Sequence, residues 1–287
     1  MHRTSFAVFS IAATTAFLAV PAATAHQEPF AYLRGAQVEA RGEWELEQWT
    51  TARLGKADGR YLGLDLQTEL EYGVTDRFQT SLYLNTIYHD IEDARGGSET
   101  FDDRNAFVFD GTSAELKYQI SDPFRQPWGL ALYFEPGYRR FCAVRGERED
   151  VWLLESKIIV QRHFFDHRLI VAFNYTVEPE WEREPGEEWE TGLEMEWALG
   201  ASWALSSSWR VGVEARLDTE FAEADLDQQE FSAFFLGPNV HFARDRWYAT
   251  LAVLPQIAGW RDAPGTDGLH LDDQERLELR LKLGFEF

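Results

Sequence analysis

Strict alternation constrains this chain more than any other feature of its sequence. From Leu62 to Tyr72, Leu62, Leu64, Leu66, Thr68, Leu70 and Tyr72 fall on one phase, while Asp65, Gln67, Glu69 and Glu71 lie between them. A period of two belongs to a strand with one apolar face. The pattern recurs over 78–88, 169–177, 189–199, 209–219 and 277–287. Across these six segments the apolar phase holds 35 positions and no charge, whereas 14 of the 29 intervening positions are charged. Weaker alternation covers 43–51, 114–120 and the stretch opened by Leu130, Leu132 and Phe134. Residues 151–163, 231–243 and 247–259 are strand-like with a mixed phase; Pro238 and Pro255 within them, and Pro136 in the stretch opened by Leu130, predict bulges. Together these segments predict twelve strands of 10–14 residues, about twice the usual ~5–6 of soluble sheets.

Length and connections decide what such strands enclose. The connections alternate between tight ones (75–76, 121–127, 166–167, 206–208, 244–245) and mostly longer, acidic ones (90–105, 142–150, 180–188, 221–229, 261–275). Aromatics flank each tight turn: Tyr72 and Phe78, Tyr118 and Trp128, Phe164 and Phe165, Trp203 and Trp209, Phe242 and Trp247. Rings of this kind suit the boundary between hydrocarbon and headgroups. A basic residue on a lipid-facing wall at mid-depth costs about 2–4 kcal/mol, which explains the empty apolar phase. The expected fold is therefore all-β: a transmembrane up-and-down antiparallel β-barrel of about twelve strands.

The first 25 residues predict an export signal, with Arg3 before the apolar stretch 6–20 and a small-x-small site at Ala23-Thr24-Ala25. Residues 26–41 follow as a short periplasmic segment, too short for a folded plug domain, and 42–287 form the barrel. The single Cys142 excludes a disulfide scaffold. With 49 acids against 27 bases, the net charge of −22 argues against nucleic acid as a partner.

The chain ends on Leu277, Leu279, Leu281, Leu283, Phe285 and Phe287 in one phase. This terminus resembles the recognition signal of Gram-negative outer-membrane barrels, in which assembly machinery reads the last strand and its terminal aromatic. The resemblance implies Phe287 as an assembly signal and location in the bacterial outer membrane, among its lipids and lipopolysaccharide. Residues 42–49 (Gly-Glu-Trp-Glu-Leu-Glu-Gln-Trp) and 69–79 (Glu-Leu-Glu-Tyr-Gly-Val-Thr-Asp-Arg-Phe-Gln) further resemble a group of uncharacterised outer-membrane barrels. More loosely, they are similar to transporters assigned to aromatic-degradation pathways.

The polar phases nominate a lumen lining: Glu43, Glu45, Glu47, Asp65, Glu69, Glu71, Glu190, Glu194, Glu196, Arg210, Arg216, Glu278, Arg280 and Lys282. Closing a twelve-strand ring sets Arg280 and Lys282 against the Glu43–Glu47 ladder. Two readings stand: a pore whose acidic field selects solutes, or a salt-bridge network filling a narrow lumen. The leading expectation is a passive channel or transporter for small solutes, and not an enzyme. A structural or adhesive barrel with a plugged lumen is the alternative, and a surface hydrolase around His89 with Ser81 or Ser98 is a third. No catalytic residue, cofactor or metal site is assigned: His163 and His167 straddle a turn, and the acidic loops match no calcium spacing.

Overall fold

The computed structural model describes residues 28–261 and 266–287. The proposed export signal, residues 1–25, lies outside them. Twelve strands form a closed antiparallel barrel in chain order: β1 (Trp44–Leu54), β2 (Asp58–Thr75), β3 (Phe78–Arg95), β4 (Arg104–Ser121), β5 (Gly129–Phe141), β6 (Arg148–Phe164), β7 (Leu169–Arg183), β8 (Glu190–Ala204), β9 (Trp209–Ala222), β10 (Gln229–Arg244), β11 (Trp247–Trp260) and β12 (Leu277–Glu286). The seam is the β1–β12 pair, from Glu45↔Glu286 to Leu54↔Leu277. Beyond it the Phe287 N–H donates to the Trp44 carbonyl at 2.9 Å. Closure leaves no unpaired strand edge, the condition for a sheet in hydrocarbon.

Strands run from 10 residues in β12 to 18 in β2, β3 and β4, longer than the alternation predicts. The extra length is polar. Arg60 pairs with Asp90 and Glu92, each at 2.9 Å, on the outer ends of β2 and β3, so these strands continue past the apolar band into water. On the outside, Leu82, Leu84, Leu116, Leu132, Ile158, Leu199, Val213, Leu251 and Leu281 are exposed. Exposed aromatics gather toward the end with the short connections, as in the Trp44–Tyr72 and Trp209–Phe242–Trp247 stacks. Phe107, Trp152, Trp181 and Trp260 ring the other end. An apolar band between two aromatic belts is the surface of a lipid-facing wall. The two ends are called here the turn end and the loop end.

The three prolines differ, and Pro238 keeps its register with Val213. Pro136 interrupts the β4–β5 ladder, but the register resumes unshifted, from Ser113↔Gly137 to Leu116↔Phe134. One bulge does fall near Pro255, where Phe234 and Phe235 pair with Ala258 and Gln256 and leave Ile257 over; another, at Asn85/Thr86, is remote from any proline.

The largest departure from the sequence reading concerns residues 26–41. Instead of a periplasmic segment, residues 28–39 turn into the lumen as an irregular strap, buried almost throughout. Its apolar side chains supply the reason, because they need cover that solvent cannot give. Ala31 and Tyr32 pack with Phe231, Ala233, Phe235, Ala252 and Leu254. Phe30 and Leu33 meet Ile170, Ala172 and Ala198, and Ala36 meets Ala131, Tyr133 and Ile159. Small inward residues make the room: a Cβ on Gly200 would lie 2.6 Å from the Phe30 ring.

Candidate functional site

The lumen is two compartments. In the turn-end half, inward side chains satisfy the strap's backbone. Glu214 accepts from the Ala31 and Tyr32 N–H groups at 2.9 and 2.8 Å. Asn174 accepts from Arg34 N–H at 2.7 Å and donates to its carbonyl at 3.0 Å. Gln161 and Gln119 do the same for Ala36, Gln79 accepts from Glu39 N–H, and Asn239 donates to the Pro29 carbonyl. A segment without secondary structure can be buried only when its peptide groups are paired this way.

Arg34 is the electrostatic centre of this half. Its guanidinium lies 2.9 Å from Glu69, 3.2 Å from Glu115, 3.6 Å from Glu47 and 3.7 Å from both Glu28 and Glu71. It stacks over Trp49 at 4.5 Å and donates to the Tyr83 hydroxyl. Lys282 bridges Glu28 and Glu47 at 2.7 and 2.8 Å, and Lys117 reaches Glu28 at 3.3 Å. Among the described residues, Glu47, Glu69 and Glu71 form the one group of three carboxylates close enough to hold a metal ion. Arg34 already sits among them as an organic cation.

Above the strap three cavities of about 330, 270 and 200 Å3 share walls at Arg139, Glu194, Glu196, Arg216 and Arg280. Tyr32 lies on the floor of the smallest of them between two guanidinium groups, with Arg280 at 4.0 Å and Arg216 at 5.1 Å from its ring. The lining side chains of this chamber include fifteen acids and seven bases. Two loops lean over its mouth. The β5–β6 loop presents the Ala143 carbonyl to Arg53 and His89, and the Val144 carbonyl to the Tyr61 hydroxyl. The β11–β12 loop sets Asp272 against the Ser98 and Glu99 N–H groups and the Ser98 hydroxyl. Partial burial would raise Asp272, but these donors hold its carboxyl below the ordinary value. Burial lowers the nearby Lys56 ammonium, with Glu275 at 3.5 Å opposing the shift.

Most of the nominated lining faces inward, in two different roles. Glu47, Glu69, Glu71 and Lys282 belong to the strap network, and Glu45 accepts from the Tyr248 hydroxyl at 2.6 Å. Asp65, Glu194, Glu196, Arg216, Glu278 and Arg280 line the chamber. Asp65 is held by Arg53 at 2.9 Å, while Arg216 bridges Asp218 and Glu278.

Four residues depart from expectation. Glu43 precedes β1, where its N–H closes a turn onto Ala40, and it is exposed. Glu190 is exposed at the first position of β8, opposite Glu182 on the rim. Arg280 pairs in register with Thr51, not with the glutamate ladder, and donates to that hydroxyl at 2.8 Å. Arg210 clamps the Ser202 and Arg168 carbonyls near a turn.

Further lining residues lie beyond the alternating segments. Glu178, Glu180 and Glu182 read as loop because the apolar alternation stops at Val177, yet β7 runs on to Arg183 with these side chains on its inward phase. The residues named for hydrolysis keep separate partners: His89 takes the Ala143 carbonyl and Ser98 takes Asp272. His163 and His167 do meet, with their Nδ1 atoms 2.7 Å apart at a turn-end connection.

The chain belongs to DUF6662, a family of unknown function whose model matches residues 22–287. No curated protein matches it. Among solved structures it is similar to the COG4313 outer membrane channel from Pseudomonas putida F1, with 10% identity and a TM-score of 0.59 over 88% of this chain and 98% of that one. It is also similar to the NanC porin, with 9% identity and a TM-score of 0.51 over 84% of this chain and 98% of that one. At these identities the likeness is one of fold.

Proposed function

We propose that this protein is an outer-membrane channel for small cationic solutes, closed at rest by residues 28–39. One observation carries the reading: the barrel wall holds a side-chain socket for a strap that runs into β1, beneath an acidic chamber. Two similar folds, described as an outer membrane channel and a porin, support the class. The chamber's acidic surplus concentrates cations and disfavours anionic aromatic acids, so the looser likeness to aromatic-pathway transporters extends to neutral or cationic rings at most. On this reading residues 1–25 direct export, and assembly machinery recognises Phe287. Phe287→Ser then lowers the folded yield in the membrane without blocking passage across the inner membrane.

The test is conductance in planar bilayers. The intact chain should show low or intermittent current, and deletion of residues 28–39 should give a steady and much larger one. The strap itself favours one rival, a permanently plugged structural barrel. A deletion variant that folds but stays silent would establish that rival and refute the channel.

A further inference from the structure

Five glutamates occupy one row of the barrel wall, one on each of five successive strands. Glu135 of β5 is in register with Glu155 of β6. Glu155 falls opposite Glu178 of β7, between the pairs Leu153↔Glu180 and Ser156↔Val177. Glu178 pairs with Glu194 of β8, and Glu194 with Glu220 of β9. All five line the chamber. Like charges directly opposite each other destabilise a sheet, and here the opposition repeats at every step. The chain compensates little of it. Lys157 reaches Glu155 at 2.9 Å, and the Ser113 and Tyr133 hydroxyls donate to Glu135, but among the described residues no salt bridge reaches Glu178, Glu194 or Glu220.

A second observation is independent of the row. Asp218 is 2% exposed and lines the same cavity as Glu194 and Glu220. One of its oxygens binds Arg216 at 2.7 Å, while Oδ1 has no hydrogen-bond partner among the described residues. A buried acceptor left unpaired is costly and calls for a donor.

We propose that this row is a binding track for linear polyamines. The acids follow one another at the strand spacing of ~4.8 Å, and three- or four-carbon spacers set successive ammonium groups at a comparable interval. A point cation fits worse. Divalent ions need several oxygens converging on one centre, and the convergent carboxylates, Glu47, Glu69 and Glu71, lie elsewhere around Arg34. Because barrel strands tilt, a row across them climbs along the axis. Glu115, next in the row on β4, is held by Arg34; the track starts at Glu135, beside the cavity floored by Tyr32, and ends at Glu220 near the end of β9. The proposal deepens the channel reading and rests on it for the direction of travel, whereas binding is measured without any current.

The experiment is titration calorimetry at low salt on the intact detergent-solubilised protein, with propylamine, putrescine, spermidine and Mg2+ as probes. Affinity should rise with each added ammonium group, and spermidine should exceed Mg2+. Glu178→Gln with Glu194→Gln should weaken spermidine by about tenfold or more, the scale of a lost charge-assisted contact. Glu187→Gln with Glu188→Gln, on the exposed β7–β8 loop, should leave it unchanged. Heat-modifiable mobility checks folding, and Glu194→Gln alone is the fallback, with a smaller loss expected. No heat from spermidine, equal weakening by the loop pair, or Mg2+ binding as tightly as spermidine would each overturn the track. Spermidine binding to a barrel that never conducts would uphold the track and sink the channel.

Discussion

The two halves of the lumen are built from the same strands and the same inward phase, yet they treat charge in opposite ways. In the turn-end half, Glu28, Glu47, Glu69, Glu71 and Glu115 surround Arg34, with Lys117 and Lys282 closing the network. In the loop-end half, Glu178, Glu194 and Glu220 face the chamber, and among the described residues no salt bridge reaches them. The strap makes the difference. Where the chain supplies its own cation and apolar filler, carboxylates become structure; in the chamber Arg139, Arg216 and Lys157 hold Glu180, Asp218 and Glu155, and the acids outnumber such partners. Buried ion networks add little net stability but strongly penalise loss of one partner, so the first half is specified rather than merely filled.

Arg34→Met tests that statement hardest. Removing the central cation strands buried carboxylates and should weaken strap docking by about 3–5 kcal/mol, read as a rise in open-channel conductance. An unchanged current would mean that the network does not hold the strap. The frame of inside and outside is tested next. Leu281→Arg, on the exposed outer face, should destabilise the barrel by about 2–4 kcal/mol in denaturant titrations in lipid. Gln67→Arg, on the chamber wall, should cost far less, and equal costs would reverse the assignment of faces.

A milder substitution probes the socket from the wall side. Gly200→Val drives side-chain carbon into the Phe30 ring and should cost about 1–3 kcal/mol, with conductance rising and the β-sheet spectrum unchanged. In the other half, Glu194→Gln with Glu196→Gln should reduce cation preference in reversal potentials, most at low ionic strength, where screening is weakest. A clear anion preference in the parent protein would refute the charge argument.

The smallest effect belongs to the mouth. Donors hold the Asp272 carboxyl low, so its contribution is present above the ordinary aspartate value of ~3.9 and is lost as pH falls through the depressed folded value. Hydrogen exchange at Ser98 and Glu99 should therefore quicken in strong acid, and in Asp272→Asn already at neutral pH.

The contrast between the halves also explains what the sequence could disclose. Strand number, closure and facing are local facts, because a period of two sorts Leu66 from Gln67 without any knowledge of neighbours. Lys282 against Glu47 followed from closure alone. The strap was hidden because residues 28–41 carry no period, and its partners Gln79, Gln119, Gln161, Asn174 and Asn239 read as ordinary neutral lining. Its trace was nevertheless present. The mixed phases of 151–163, 231–243 and 247–259 arise where inward Ile159, Phe231, Phe235 and Leu254 are apolar; Phe235 and Leu254 meet Ala31 and Tyr32, and Ile159 meets Ala36. The glutamate row was out of reach for another reason. Each acid is visible on its own strand, but their alignment is a property of register between strands.

The strap continues directly into β1 through Ala40, Arg41 and Gly42. Gly42 has a positive φ of 88° and its N–H donates to the Gly73 carbonyl. None of the strap lies in a strand of the barrel, so it can leave without breaking a ladder. In kinetic terms it is a ligand joined to its receptor by a leash of a few residues. Rebinding is then unimolecular, at an effective concentration of about millimolar or above for so short a link. For the channel proposed above, a solute that opens it has to outcompete that concentration, which no dilution lowers. On that proposal closure is the state to which the barrel returns by itself, and lengthening the leash is the direct way to set how often it opens.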